Sequence, residues 1–118
     1  VTSSSRDLPA TELAVTLDWR GRAAVLGVAG EIDLLSAPEF EDVVAAVLAD
    51  EPEKLVVDLR SVTFFCSAGL QVLASAHRRM TEHALRVVSD SPVTSGPLKT
   101  TGLDTWVSVH PTVDEALT

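Results

Sequence analysis

Short apolar runs alternate with amphipathic stretches along this chain, and that alternation constrains its fold more than any other feature. Lys54-Leu55-Val56-Val57-Asp58-Leu59 is a continuous apolar run bounded by polar residues, as a central strand covered by helices requires, and Leu85-Arg86-Val87-Val88 repeats the pattern. Apolar residues elsewhere recur at helical spacing. Phe40, Val43, Val44, Val47 and Leu48 form one such face, and Leu70, Leu73, Ala74, His77 and Met80 form the inward stripe of another, opposite a polar face of Gln71, Ser75, Arg78 and Glu82. Strands alternating with helices predict an α/β fold, a mixed and mainly parallel sheet of about five strands with helices packed on it, and exclude a sandwich or a bundle.

The remaining elements fit this frame. Residues 1–11 are rich in Ser, Thr and Pro without periodicity and read as a flexible tail, so that residues 12–118 make up one domain. Leu13, Val15 and Leu17 alternate with polar or small residues, and the Arg20-Gly21 turn leads into Ala23–Ala29, which predicts an opening hairpin whose second strand is buried on both faces. Ser36-Ala37-Pro38-Glu39 has the capping-box pattern at the head of the first helix. Residues 91–103 are ambiguous because Gly96-Pro97 breaks a long helix. Val107-Ser108-Val109 reads as an edge strand before a last helix over Val113–Leu117.

Composition narrows the function classes. Nine Lys+Arg against seventeen Asp+Glu give a net charge of -8, which disfavours nucleic acid and points to a basic or mixed-charge protein surface as partner. No apolar run approaches the roughly 18 residues that cross a bilayer, and the start has no leader pattern, so the expectation is a cytoplasmic protein with no membrane contact. Cys66 is the single cysteine, and His77, His83 and His110 are scattered, which predicts no metal site and no cofactor. No G-x-S-x-G elbow or base-and-orienter arrangement accompanies Ser67 or Cys66, so no catalytic residue is assigned and the chain is not expected to be an enzyme.

The run Val62-Thr63-Phe64-Phe65 ends in Cys66-Ser67-Ala68-Gly69 and opens the second helix, placing the Ser67 hydroxyl at a helix N-terminus. Such a serine is an N-cap contributing about 1 kcal/mol, or a site whose phosphate the positive end of the helix accommodates. Asp33 closes the preceding strand, in Gly30-Glu31-Ile32-Asp33, with no helix nearby in sequence for it to cap. Parallel αβ units gather the C-terminal ends of their strands on one edge, so Asp33 and Ser67 are predicted neighbours.

These motifs, with Ser91-Pro92 and Thr101-Gly102-Leu103 in matching order, resemble the bacterial anti-sigma factor antagonists of the STAS-domain family, over about Leu13 to Leu117. The resemblance implies a protein that binds an anti-sigma factor in its unphosphorylated form and frees the sigma factor. It implies as partners that anti-sigma factor, acting as a serine kinase on Ser67, and a serine phosphatase, and a monomer or weak dimer. It implicates Asp33 in the kinase interaction or in phosphorylation itself. The contact face expected from this is Asp33, Leu34 and Ser67 with the outward side of the second helix, Gln71, Ser75 and Arg78. A phosphate on Ser67 close to Asp33 adds repulsion and desolvation at such a face.

Two departures qualify the match. Many members carry Asp-Ser-Ser-Gly at the switch where this chain has Cys66-Ser67-Ala68-Gly69, leaving one hydroxyl and removing an acid. Gly96-Pro97 falls where relatives have an unbroken third helix, which predicts a short or irregular one. Cys66 raises an alternative, a redox-responsive antagonist, against the ordinary case of a buried, inert thiol. A stressosome-type scaffold subunit is the other alternative within the family.

Overall fold

Six strands, β1 (Ser3–Leu8), β2 (Ala14–Arg20), β3 (Ala23–Ile32), β4 (Lys54–Phe65), β5 (Leu85–Val88) and β6 (Ser108–His110), lie side by side in chain order in a computed structural model that describes residues 3–8 and 13–118. The pairings β1-β2 and β2-β3 are antiparallel, and β3-β4, β4-β5 and β5-β6 are parallel. The sheet is thus mixed and mainly parallel, as the alternation requires. Ser3–Leu8 supplies an edge strand where the sequence reading places a loose tail. Ser-Ser-Ser-Arg-Asp-Leu has no apolar alternation to announce a strand, and what defines it is the open backbone edge of β2. Residues 1–2 and 9–12, the rest of the expected tail and its boundary, lie outside the described residues.

The parallel crossovers are α1 (Ala37–Ala49), α2 (Ser67–Arg79) and α3 (Pro92–Thr100), the last followed by a 3-10 turn, η1 (Leu103–Thr105). Right-handed crossovers stepping in one direction put their helices on one face of the sheet. There Phe40, Val44, Val47, Leu73 and Leu98 close over Leu26, Leu55, Val57, Leu59 and Leu85 in the main core. The short α4 (Val113–Ala116) covers the opposite face, where Val25, Val56 and Val88 meet Ala116 in a second, smaller cluster. Leu55, Val56 and Val57 are fully buried because successive side chains of β4 enter opposite clusters.

Two register shifts separate β3 from β4, one between Gly27 and Ala29 and one after Gly30. Gly30 has φ 116°, a left-handed value that glycine adopts without strain. The shifts let the longer β4 run on past the Leu59 end read from sequence, through Arg60 and Ser61, and still finish level with β3, Ile32 opposite Phe65. In α2 the buried residues are Gly69, Leu70, Val72, Leu73 and Ala76, so the buried stripe is rotated from the predicted one, and Ala74, His77 and Met80 are left half-buried at its margin. α3 keeps Pro97 inside and is nine residues long, the short third helix that Gly96-Pro97 predicts.

Candidate functional site

The Ile32–Phe65 pairing sets the two loops of interest next to each other. The Cys66 N–H donates to the Ile32 carbonyl at 3.0 Å, tying the start of α2 to the end of β3. α2 then begins at Ser67, with Cys66 in extended conformation at the N-cap and no side chain capping the turn. Ser67 is therefore the first helical residue, exposed, and not the N-cap that is one of the two readings of this serine. No acidic residue occupies this first turn, so the positive end of the helix is uncompensated where the hydroxyl stands. Cys66 is half-buried between strand and helix.

Gly69 explains how the helix can start so close to the strands. A Cβ at this position would lie 2.7 Å from Ile32 Cγ2 and 2.7 Å from Phe65 Cε1, both on buried side chains. Only a residue without a side chain lets the first turn of α2 rest on the ends of β3 and β4. Ser67, two residues earlier, is thereby held above the junction of the two strands.

Asp33 is built into its own loop. Its Oδ1 accepts from the N–H of Leu35 and of Ser36, both at 3.0 Å, and lies 3.2 Å from the Ser36 hydroxyl. That hydroxyl donates to the Glu31 carbonyl at 2.6 Å and accepts from the Asp33 N–H at 2.9 Å, and the Ala37 N–H donates to the Asp33 carbonyl at 2.8 Å. The predicted capping box does not form. Ser36 occupies the N-cap position without capping α1, and the Glu39 Oε2 accepts instead from the Leu13 N–H at 3.2 Å. Asp33 instead closes the turn over residues 34–36 that leads into α1, and its carboxylate takes no N–H of the helix itself. The hydrogen bonds from Ser36 first, then from Leu35, hold its carboxyl below the usual carboxylate value.

This network leaves Leu34 and Leu35 on a pinned loop, 77% and 82% exposed. A groove of about 200 Å3 runs beside them between α1 and α2, lined by Leu34, Pro38, Glu41, Ala68, Gln71 and Val72 among others. On the other flank of α2 a groove of about 610 Å3 faces η1, lined by Ser67, Leu70, Gln71, Ala74, His77, Arg78, Thr101, Leu103 and Trp106. Gln71 lines both, and Ser67 and Ala68 divide them.

Of the residues predicted to form a contact face, Ser67, Gln71 and Arg78 line the larger groove and Leu34 the smaller. Ser75 is half-buried and lines neither. Asp33 shares the strand-end edge with Ser67, but its carboxylate is committed to Ser36 and Leu35. Sequence reasoning missed Leu35 and Trp106. The Leu34-Leu35 doublet falls outside the helical period of α1, and Trp106 follows the segment whose structure Gly96-Pro97 left open. No cluster of metal-binding side chains occurs among the described residues, and no helix among them is long and apolar enough to cross a membrane.

Comparison with known proteins agrees with this architecture. A family model described as "Mlab, STAS domain" matches residues 15–111. The anti-sigma-F factor antagonist RsfB of Mycobacterium tuberculosis is 36% identical over 107 residues, covering 90% of this chain and 88% of that protein. RsfA of the same organism, also an anti-sigma-F factor antagonist, is 29% identical and covers 89% and 85%. The crystal structure of an anti-sigma factor antagonist from Mycobacterium paratuberculosis superposes with a TM-score of 0.82 at 36% identity, covering 97% of this chain and 92% of that one. SpoIIAA in its unphosphorylated form shares the fold, with a TM-score of 0.70 at 19% identity over 88% of this chain and 93% of that one.

Proposed function

The chain belongs to the STAS-domain family of anti-sigma factor antagonists, and from that premise we propose that it binds an anti-sigma factor when Ser67 is free and releases it when Ser67 is phosphorylated. The family consists of regulatory binding proteins rather than enzymes, so binding, and not turnover, is the activity to explain. The observation that carries the reading is the place of Ser67: exposed, first in α2, and without an acidic neighbour in that turn.

The physics of the switch follows from that place. A phosphoserine carries about -1.5 to -2 charges near neutral pH, and a helix N-terminus stabilises negative charge. The fold therefore accepts the phosphate without rearrangement. A partner docked across the ridge of Ser67 and Ala68 must instead desolvate a dianion on a chain that already carries a net charge of -8. Only about 3 kcal/mol of lost binding energy weakens the complex about a hundredfold.

Asp33 acts in this scheme through the loop it ties down, presenting Leu34 and Leu35, rather than by direct contact with the serine. The partner is an anti-sigma factor with serine kinase activity, and a serine phosphatase returns the chain to its binding form. Incubation with ATP and the cognate anti-sigma kinase, followed by intact mass and site mapping, tests the reading. One added phosphate on Ser67 is the expected result, and phosphorylation elsewhere or none at all refutes it.

A further inference from the structure

The groove between α2 and η1 has the dimensions and lining of a small-molecule site. Its volume of about 610 Å3 falls in the range of roughly 300–1,000 Å3 that such sites occupy. Leu70, Ala74 and Leu103 give it hydrocarbon walls. The Trp106 indole stands at its side, 62% exposed, with the His77 ring 6.2 Å away and tilted by 47°. A large, mostly exposed ring beside apolar walls offers a stacking surface.

Charge selects the ligand. The charged or chargeable side chains lining the groove are Arg78 and His77, with no carboxylate among the lining residues, although the chain as a whole is strongly acidic. The smaller groove on the opposite flank of α2 has the reverse character, with Glu41 and no cation. His77 adds a buried Nδ1 that has no hydrogen-bond partner among the described residues. Arg78 is the exposed cation of the pair and presents the planar fork that matches a carboxylate. From Ser67 to Arg78 the groove follows three turns of helix, about 16 Å, which suits an elongated body better than a compact inorganic anion.

We propose that this groove binds small organic carboxylic acids, their aliphatic or aromatic body laid on Leu70, Ala74 and Leu103 against Trp106 and their carboxylate paired with Arg78. The test uses the isolated chain, so its outcome is independent of whether Ser67 is a switch or an anti-sigma factor docks nearby. Isotope-labelled protein is titrated with 4-phenylbutyrate and, separately, with the uncharged 4-phenylbutan-1-ol, and amide and indole N–H signals are followed by NMR. Saturable shifts are expected at Trp106, Ala74, Arg78 and Leu103. Arg78→Gln is expected to weaken the acid about tenfold, the loss of roughly one charge-assisted hydrogen bond, and to leave the alcohol unchanged. Trp106→Ala is expected to weaken both compounds, with circular dichroism verifying that each variant is folded. Absence of saturable shifts at millimolar ligand, shifts confined to other surfaces, or equal affinity of acid and alcohol would overturn the proposal. So would a groove that ignores both compounds and responds only to a peptide.

Discussion

Toward α1, the flank of α2 is a small groove with a carboxylate, Glu41, and two leucines standing on a loop that four residues, Glu31, Asp33, Leu35 and Ser36, tie together by hydrogen bonds. Toward η1, the flank is three times as capacious and is edged by Arg78, His77 and an open indole. One helix thus separates an acidic, apolar, rigid ledge from a basic, aromatic trough. A partner therefore need not use the whole exposed face. A basic protein surface with an apolar pocket complements the ledge, and an anion with a hydrocarbon body complements the trough. Ser67 stands on the ridge between them, where a new charge is felt on both sides.

The largest effect expected is at that ridge. Ser67→Asp places a permanent charge at the first position of α2 and should weaken anti-sigma factor binding by up to about a hundredfold, or ~3 kcal/mol, while Ser67→Ala keeps it. Titration calorimetry of the two variants against wild type checks this. Equal affinities for all three would show that the ridge is not at the interface, and the two flanks would then have to be compared without it.

Next is Gly69, on which both flanks depend. Its replacement by Ala drives a methyl into Ile32 and Phe65, an overpacking that costs about 1–3 kcal/mol. Better helix propensity returns less than about 1 kcal/mol so near the helix end. A net loss in chemical denaturation is expected, together with displacement of α2 that perturbs NMR signals along both grooves. A change confined to one groove would mean that the flanks are positioned separately.

The ledge and the trough are then told apart by Leu34→Ser with Leu35→Ser. These side chains contribute little to the core, being mostly exposed, so melting temperature should hold. If they anchor the partner, each truncation costs on the order of 1–2 kcal/mol of binding. Trp106→Ser serves as the matching change in the trough. Loss of anti-sigma factor affinity in the trough variant and not in the ledge variant would reverse the assignment of the two flanks.

How much of this arrangement is legible in the sequence depends on what each part rests on. The crossover helices and central strands are visible because burial imposes a period, as in Leu55-Val56-Val57 or in Phe40, Val43, Val44 and Val47. The placing of the Asp33 and Ser67 loops on one edge of the sheet is visible because parallel units align their strand ends, here Ile32 with Phe65. Three things are not. β1 is held by backbone pairing to β2, which leaves no apolar signature. The extra residues of β4 are absorbed by register shifts at Gly27–Gly30, a matter of pairing and not of composition. The capping box at Ser36 has the right letters, yet Asp33 takes the Ser36 N–H, the Ser36 hydroxyl turns back to Glu31 and Asp33, and Glu39 accepts from Leu13.

Asp33 gives the smallest effect and the most specific one. Hydrogen bonds from Ser36 and Leu35 favour its ionised form, so its carboxyl titrates below the usual 3.8 in the folded chain. A carboxyl held low stabilises the fold at every pH above its unfolded value, and that contribution is lost as pH falls through the folded value. Asp33→Asn keeps an acceptor oxygen and removes the charge. The difference in stability between wild type and this variant should be constant from neutral pH down to about pH 5, then shrink below roughly pH 4. Asp33→Ala removes the acceptor as well, and hydrogen exchange at the Leu35 and Ser36 amides should quicken in it at all pH values. If Asp33 works by holding the ledge, anti-sigma factor affinity follows the exchange rate of those amides, nearly retained in Asn and reduced in Ala. Affinity that falls equally in both variants, with the Asn loop still protected, would instead place the carboxylate charge itself against the partner.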